Sequence, residues 1–253
     1  MLTQLLTRFA RRKNPDFRLD PAISSGMIWA FSMHKLGWWL RSWMLLFRGK
    51  VPKMWFLGPR VRIQYPGNMQ IGRYVNIHEG AYLSALGKYP LVIGDHVNIG
   101  AYSRLVISQT FHDLGAYIRI GDRVGLGDFA HLGGAGGLEI GADCIIGAYL
   151  SCHPENHVFS DPEVPIRLQG HTRKGIKIGR NCWIGAKVTI LDGVEIGDNC
   201  VLAAGAVITK SMPANSVIGG VPAKVLKTRS TPIPKASDLS MLDSTQRSVS
   251  SVD

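Results

Sequence analysis

Three histidines, His153, His157 and His171, fall in one polar stretch between Cys152 and Gly175, where prolines and charged residues interrupt an otherwise regular apolar pattern. Histidine takes up and releases protons near neutral pH, so one of these rings could act as general base toward a hydroxyl. Neutral imidazoles also bind zinc, and one type of catalytic zinc site takes three of them. His153 and His157 could be two such ligands, but no third histidine stands at a matching repeat position, and no metal is expected. Long loops in compact domains usually carry function or are disordered, so chemistry is sought first in 153–175.

The elements that must position these rings show in a six-residue period. Ile178, Ile184, Ile190, Ile196, Leu202 and Ile208 are evenly spaced aliphatic anchors, usually followed by glycine and, four residues after the anchor, by a small or β-branched residue. Shorter runs keep the step: Ile71 and Ile77; Ile93, Ile99 and Leu105; Ile120, Leu126 and Leu132; Ile140, Ile146 and Cys152. A helix of 3.6 residues per turn would carry such anchors around its axis, whereas short strands joined by bends keep them on one side. Three hexads then make one triangular coil, five to six coils in all, with the anchors inward and coils stacked about 4.8 Å apart. The glycine after each anchor is expected to permit the bend where a Cβ would crowd the corner. Steps of 16, 15 and 26 residues at 77–93, 105–120 and 152–178 mark ejected loops, the last the longest.

The run Ile178-Gly-Arg-Asn-Cys-Trp-Ile-Gly-Ala, then Ile190-Leu-Asp-Gly-Val-Glu-Ile-Gly-Asp, Ala203-Ala-Gly-Ala-Val-Ile-Thr-Lys and Gly220-Val-Pro-Ala-Lys, resembles the hexapeptide-repeat O-acyltransferases. The maltose, galactoside and nodulation acetyltransferases and the colanic-acid and capsule O-acetyltransferases are the nearest in pattern. The resemblance covers about residues 61–227. It implies an all-β core, a left-handed parallel β-helix, assembled as a homotrimer with acyl-coenzyme A sites between subunits. It also implies acyl transfer, by expectation acetyl, from acetyl-CoA as co-substrate to a sugar hydroxyl, plausibly within cell-surface polysaccharide assembly.

In such enzymes the catalytic histidine comes eleven residues after the anchor that opens the preceding segment. Counting from Ile146 reaches His157, and His153 falls four short. His157 is therefore the expected general base, with His153 the alternative. The family pattern carries coenzyme A binding onto Ala186, Ala204, Thr209, Lys210, Lys224 and Lys227. Galactoside-type enzymes have serine where this chain has Ala186, and arginine where it has Lys224 and Lys227, so phosphate attraction persists without bidentate geometry. Trp183 and Gly185 fall where the family places the active-site edge and an oxyanion-stabilising N–H. Asp128 and His131 lie in a coil that faces the acceptor, and Asp161, Arg167 and Gln169 on the catalytic loop; any could bond a sugar or simply be solvated.

The charge is localised. The chain has 29 Lys plus Arg against 18 Asp plus Glu, net +11, and residues 1–60 hold eleven of the bases against two acids, a net of +9. Five of the six tryptophans lie between 29 and 55. Residues 1–60 are thus a basic, Trp-rich helical segment, read either as an interfacial membrane helix or as a helix packed beneath the β-helix over its open strand edges. Lys35 and Arg41 argue against a spanning helix. The tryptophans are packed too densely with aliphatics for a nucleic-acid stacking platform, so nucleic acid is not an expected partner. Residues 228–253 read as a flexible, serine-rich tail. Four cysteines without a Cys-x-x-Cys pair, and no recognisable secretory signal, suit a reduced, cytoplasmic setting, possible at the inner membrane surface. Three of the four occupy the small-residue repeat position and are read as packing residues. Two other classes stay open on the same architecture: a γ-type zinc carbonic anhydrase, and a non-catalytic scaffold or binding subunit.

Overall fold

The computed structural model describes residues 18–229. The basic cluster Arg8 to Lys13 and the serine-rich stretch after Arg229 lie outside the described residues. Each hexad folds as a strand of two or three residues followed by a turn, and successive strands go in rotation to three sheets. Sheet A runs from Phe56–Leu57 to Ala223–Thr228, sheet B from Arg62–Gln64 to Val207–Ile208, and sheet C from Met69–Ile71 to Glu195–Ile196. Within a sheet, neighbours belong to successive coils and pair in parallel; only the last hairpin of sheet A, Ser216–Gly220 with Ala223–Thr228, is antiparallel. The coil therefore starts at Phe56, one turn before the first repeat read in the sequence, with Leu57, Ile63 and Met69 already buried.

Inward rows of branched aliphatics fill the prism. Leu132, Cys152 and Ile190 stack strand to strand in sheet B, all fully buried. The four cysteines are free thiols inside this core, and burial pushes Cys152 up to about 12, so packing is their role. The glycine after each anchor has a more specific reason than the bend. A Cβ on Gly147 would lie 2.7 Å from the Ala186 nitrogen, and one on Gly185 2.6 Å from that of Ala204, so the next coil's backbone excludes it. The left-handed bend itself falls two residues later, on side-chain-bearing residues such as Tyr102, Phe129 and Tyr149.

The N-terminal segment closes the first coil. Helix α1, Ser25–Ser42, starts at Ser24, whose hydroxyl accepts from the Met27 N–H, and a 3-10 turn ends at Gly49 in the left-handed region. Arg41 donates to the Leu57 carbonyl, Arg48 to Ile63 and Lys50 to Met69, one cation for each open sheet edge. Lys35 reaches Asn76 and Trp38 packs on His78. Part of the positive charge thus satisfies strand ends rather than waiting for a partner. The other side of the segment is apolar and exposed, with Trp29, Leu40, Met44 and Phe47 outward, Phe47 at 94%. No described helix is long and apolar enough to cross a membrane.

The three outer faces differ in chemistry. Sheet C carries an ion-pair ladder, Arg119 with Glu139 and Lys177 with Glu195. Sheet A presents Ile145, Trp183, Val201 and Val217 in register. Sheet B presents arginine, tyrosine and histidine, and the ejected loops leave the coil at its far margin.

Candidate active site

The loops 108–116 and 154–174 leave the coil at the same corner, past the ends of sheet B, and enclose a cleft of about 480 Å³. His131, His153, Glu155, His157 and Arg173 line it, with Ser108 to Thr110 on the facing loop. His131 and His153 lie on adjacent strands, His131–Gly133 and Ser151–His153, with ring centroids 5.8 Å apart. The Ser151 hydroxyl and His153 Nε2 share a hydrogen bond of 2.7 Å. His157 stands on the short strand Asn156–His157, paired antiparallel with His171–Thr172. Its ring meets no hydrogen-bonding partner among the described residues, which leaves a nitrogen free for a proton from outside.

A charged clamp fixes the loops. Arg173 Nη1 and Nη2 donate to both Asp113 oxygens at 2.8 and 2.9 Å, and its Nε donates to Glu155 at 2.6 Å. His171 Nε2 lies 2.9 Å from the same aspartate. The Arg173 hydrogen bonds hold the Asp113 carboxyl below the usual carboxylate range. His131 moves down, first through burial and then through its neighbours His153 and Arg104, so it favours its neutral form. Sequence reasoning missed Arg173, Asp113 and Glu155; their only signal was charge inside otherwise polar insertions.

The other sequence candidates divide. His153 and His157 come together in the cleft. Asp128 accepts the Ala101 N–H at 2.7 Å and so braces a corner. Gln169 closes its own loop onto Asp161 and Val164, and Asp161 caps Glu163. The Gly185 N–H donates to Leu202 in the ladder, so it is not a spare oxyanion donor. One residue further, the N–H groups of Ala186 and Ala204 meet no acceptor among the described residues. At the equivalent corners of other coils an aspartate of the next coil takes this donor, as Asp198 takes the Arg180 N–H. Ala186 and Ala204 sit one above the other between sheets A and B. Trp183 stands outward on sheet A, 59% exposed. Thr209 and Lys210 follow the last strand of sheet B, while Lys224 and Lys227 lie exposed on the terminal strand of sheet A.

A second concavity, about 890 Å³, runs along ion-paired sheet C and is lined by no histidine, so the base is sought in the loop cleft instead. Among the described residues no group of three or more His, Cys, Asp or Glu could hold a metal ion.

The three-sided hexad coil with a histidine cleft at its loop corner defines a class. Residues 175–210 match the family described as bacterial transferase hexapeptide (six repeats), and the chain carries that family's repeat. It is similar to acetyltransferase Rv3034c of Mycobacterium tuberculosis, 32% identical over 64% of this chain and 51% of that protein. It is also similar to the lipopolysaccharide biosynthesis O-acetyl transferase WbbJ of Escherichia coli, 33% identical over 42% and 58% of the two chains. The colanic acid biosynthesis acetyltransferase WcaF of Escherichia coli is 27% identical over 84% and 91%. The chain spans about half the length of the first two relatives.

Proposed function

We propose that this protein is an acyl-CoA-dependent O-acyltransferase that moves an acetyl group onto a sugar hydroxyl in cell-surface polysaccharide synthesis. The observation that carries the reading is His157, its ring without a protein partner, in a cleft at the corner of a hexapeptide coil. His157 would take the proton as the hydroxyl oxygen forms its bond to the thioester carbonyl carbon. The resulting oxyanion would take a backbone N–H donor in the groove between subunits. Collapse breaks the C–S bond, and the departing thiolate regains the proton from the His157 imidazolium.

In this reading the pantetheine arm lies along Ala186 and Ala204, whose unclaimed N–H groups suit its amide carbonyls. Thr209, Lys210, Lys224 and Lys227 lie toward the end of the coil, where the lysines would meet phosphates as point charges. His153, Asp128 and Trp183 remain acceptor-side candidates, Asp128 now with a structural duty besides. The coil is left-handed and the assembly a homotrimer; the exposed apolar row Ile145, Trp183, Val201 and Val217 on sheet A suits a second copy. The apolar side of α1 and its following turn suits peripheral contact with the inner membrane surface, because Lys35 and Arg41 face the coil and leave Trp29, Leu40 and Phe47 outward.

The test is mass spectrometry of surface glycans from cells with and without the intact protein, beside acetyl-CoA turnover by the purified chain. The expected result is a glycan acyl increment that disappears with the protein and turnover that depends on a sugar acceptor. Coenzyme A binding with unchanged glycans and no acceptor-dependent turnover would make the chain a binding subunit instead.

A further inference from the structure

The outer face of sheet B carries arginines that lack counter-ions among the described residues. Its strands contain no Asp or Glu, yet Arg62, Tyr82, Arg104, His131 and Ser151 follow one another in register across it. On the other faces and corners arginines are neutralised: Arg73 by Asp95, Arg119 by Glu139, Arg123 by Asp143 and Arg180 by Asp198. Arg62 and Arg104 instead both lie over the ring of Tyr82, at 5.4 and 4.8 Å from its centre, with no carboxylate partner among the described residues. The Tyr82 hydroxyl donates to Gln64 at 2.7 Å, which holds the ring in place between them.

Two like charges converging on one aromatic ring repel, and water screens them only in part; an anion between them removes the repulsion. Each guanidinium is held by a cation–π contact, so less side-chain freedom is lost when it binds. Both lie within 5.5 Å of the same ring centre, hence no more than about 10 Å apart, a span that suits an extended anion better than a single carboxylate. The row runs directly to the cleft: Arg104 neighbours His131, and Ser151, bonded to His153, is two strand spacings, about 10 Å, from Arg104. One sugar ring bridges that interval.

We propose that Arg62, Tyr82 and Arg104 form the docking subsite for the diphosphate of a carrier-linked sugar, presenting the sugar's hydroxyls to the histidine cleft. This rests on the acyltransfer reading for its purpose, but the anion site itself does not. The carrier can be a nucleotide or a membrane lipid; the shared chemistry is the diphosphate.

The test is titration of the full chain, wild type and the double variant Arg62→Gln/Arg104→Gln, with three probes. These are inorganic pyrophosphate, UDP-glucose, and phosphatidylcholine vesicles containing a polyprenyl diphosphate. Both arginine side chains are exposed and hydrogen-bond to nothing among the described residues, so the thermal midpoint of the double variant should match wild type. The wild type is expected to bind pyrophosphate and one of the two carriers, and the double variant at least tenfold more weakly. The carrier that is retained tells nucleotide from lipid. Equal binding by both proteins, within twofold on every probe, or no binding by the wild type, overturns the subsite. If the arginine-dependent binding is found in wild type and in His157→Ala while neither transfers acetyl to any acceptor, the subsite stands and the acyltransfer reading falls.

Discussion

Replacing His157 by alanine should lower acceptor-dependent acetyl transfer by about 10² to 10⁴, the range a positioned base supplies. Coenzyme A affinity and the thermal midpoint should stay near wild type. The ring is exposed and bonds to nothing among the described residues, so its removal costs the fold little. His153→Ala provides the comparison. That ring is engaged with Ser151 and stacked on His131, and its loss should cost less than that of His157. Steady-state kinetics at saturating acetyl-CoA would check both. A His157→Ala rate within threefold of wild type, or a larger loss in His153→Ala, would move the base to the other histidine.

The second large effect is expected from a residue that positions the loop carrying the base. Arg173→Met would leave Asp113 and Glu155 facing each other without the guanidinium that bonds both, at a site where the arginine side chain is only 21% exposed. The strand bearing His157 pairs with the strand that leads directly into Arg173, so loss of the clamp loosens the base itself. Displacement by about 1 Å can cost some 10² in rate. We expect kcat to fall about that much, KM for acetyl-CoA to change less than threefold, and hydrogen exchange of 158–170 to accelerate. Arg173→Lys should rescue only part, because an ammonium cannot reproduce the bidentate fork. The pH dependence follows from the direction of the Asp113 shift. Its folded carboxyl titrates below the usual value, so the clamp's contribution is complete above that value and is lost only as pH falls through the depressed one. A loss of rate near neutrality therefore does not come from protonation of Asp113. Unchanged kcat in Arg173→Met would show that the loops hold His157 without it.

The coil was legible because its inner rows tolerate only branched aliphatics at a fixed spacing, and Ile178 to Ile208 display that spacing without interruption. The first coil was not, because the corner between its sheet B and sheet C strands holds the 3-10 turn Pro66–Asn68, which lengthens the step from Ile63 to Ile71 beyond six. His157 came from the family resemblance, by counting eleven residues from Ile146, and the coil's own period does not single it out. Arg173 and Asp113 are 60 residues apart, and nothing local says that their loops leave the same corner. The basic end shows the opposite limit. Its composition admits two readings, an interfacial helix or a helix packed over the open strand edges, and Arg41, Arg48 and Lys50 donate to backbone carbonyls of the first coil as the second requires, a pairing that composition cannot assign to particular residues.

The most direct measurement is a crystal structure of the full chain with coenzyme A, read for one distance, that from the coenzyme sulfur to the His157 ring. The account predicts pantetheine along Ala186 and Ala204 and the sulfur inside the histidine cleft, within about 4 Å of that ring or one acceptor oxygen away from it. Coenzyme A seated along ion-paired sheet C, with its sulfur remote from all three histidines of the cleft, would contradict it.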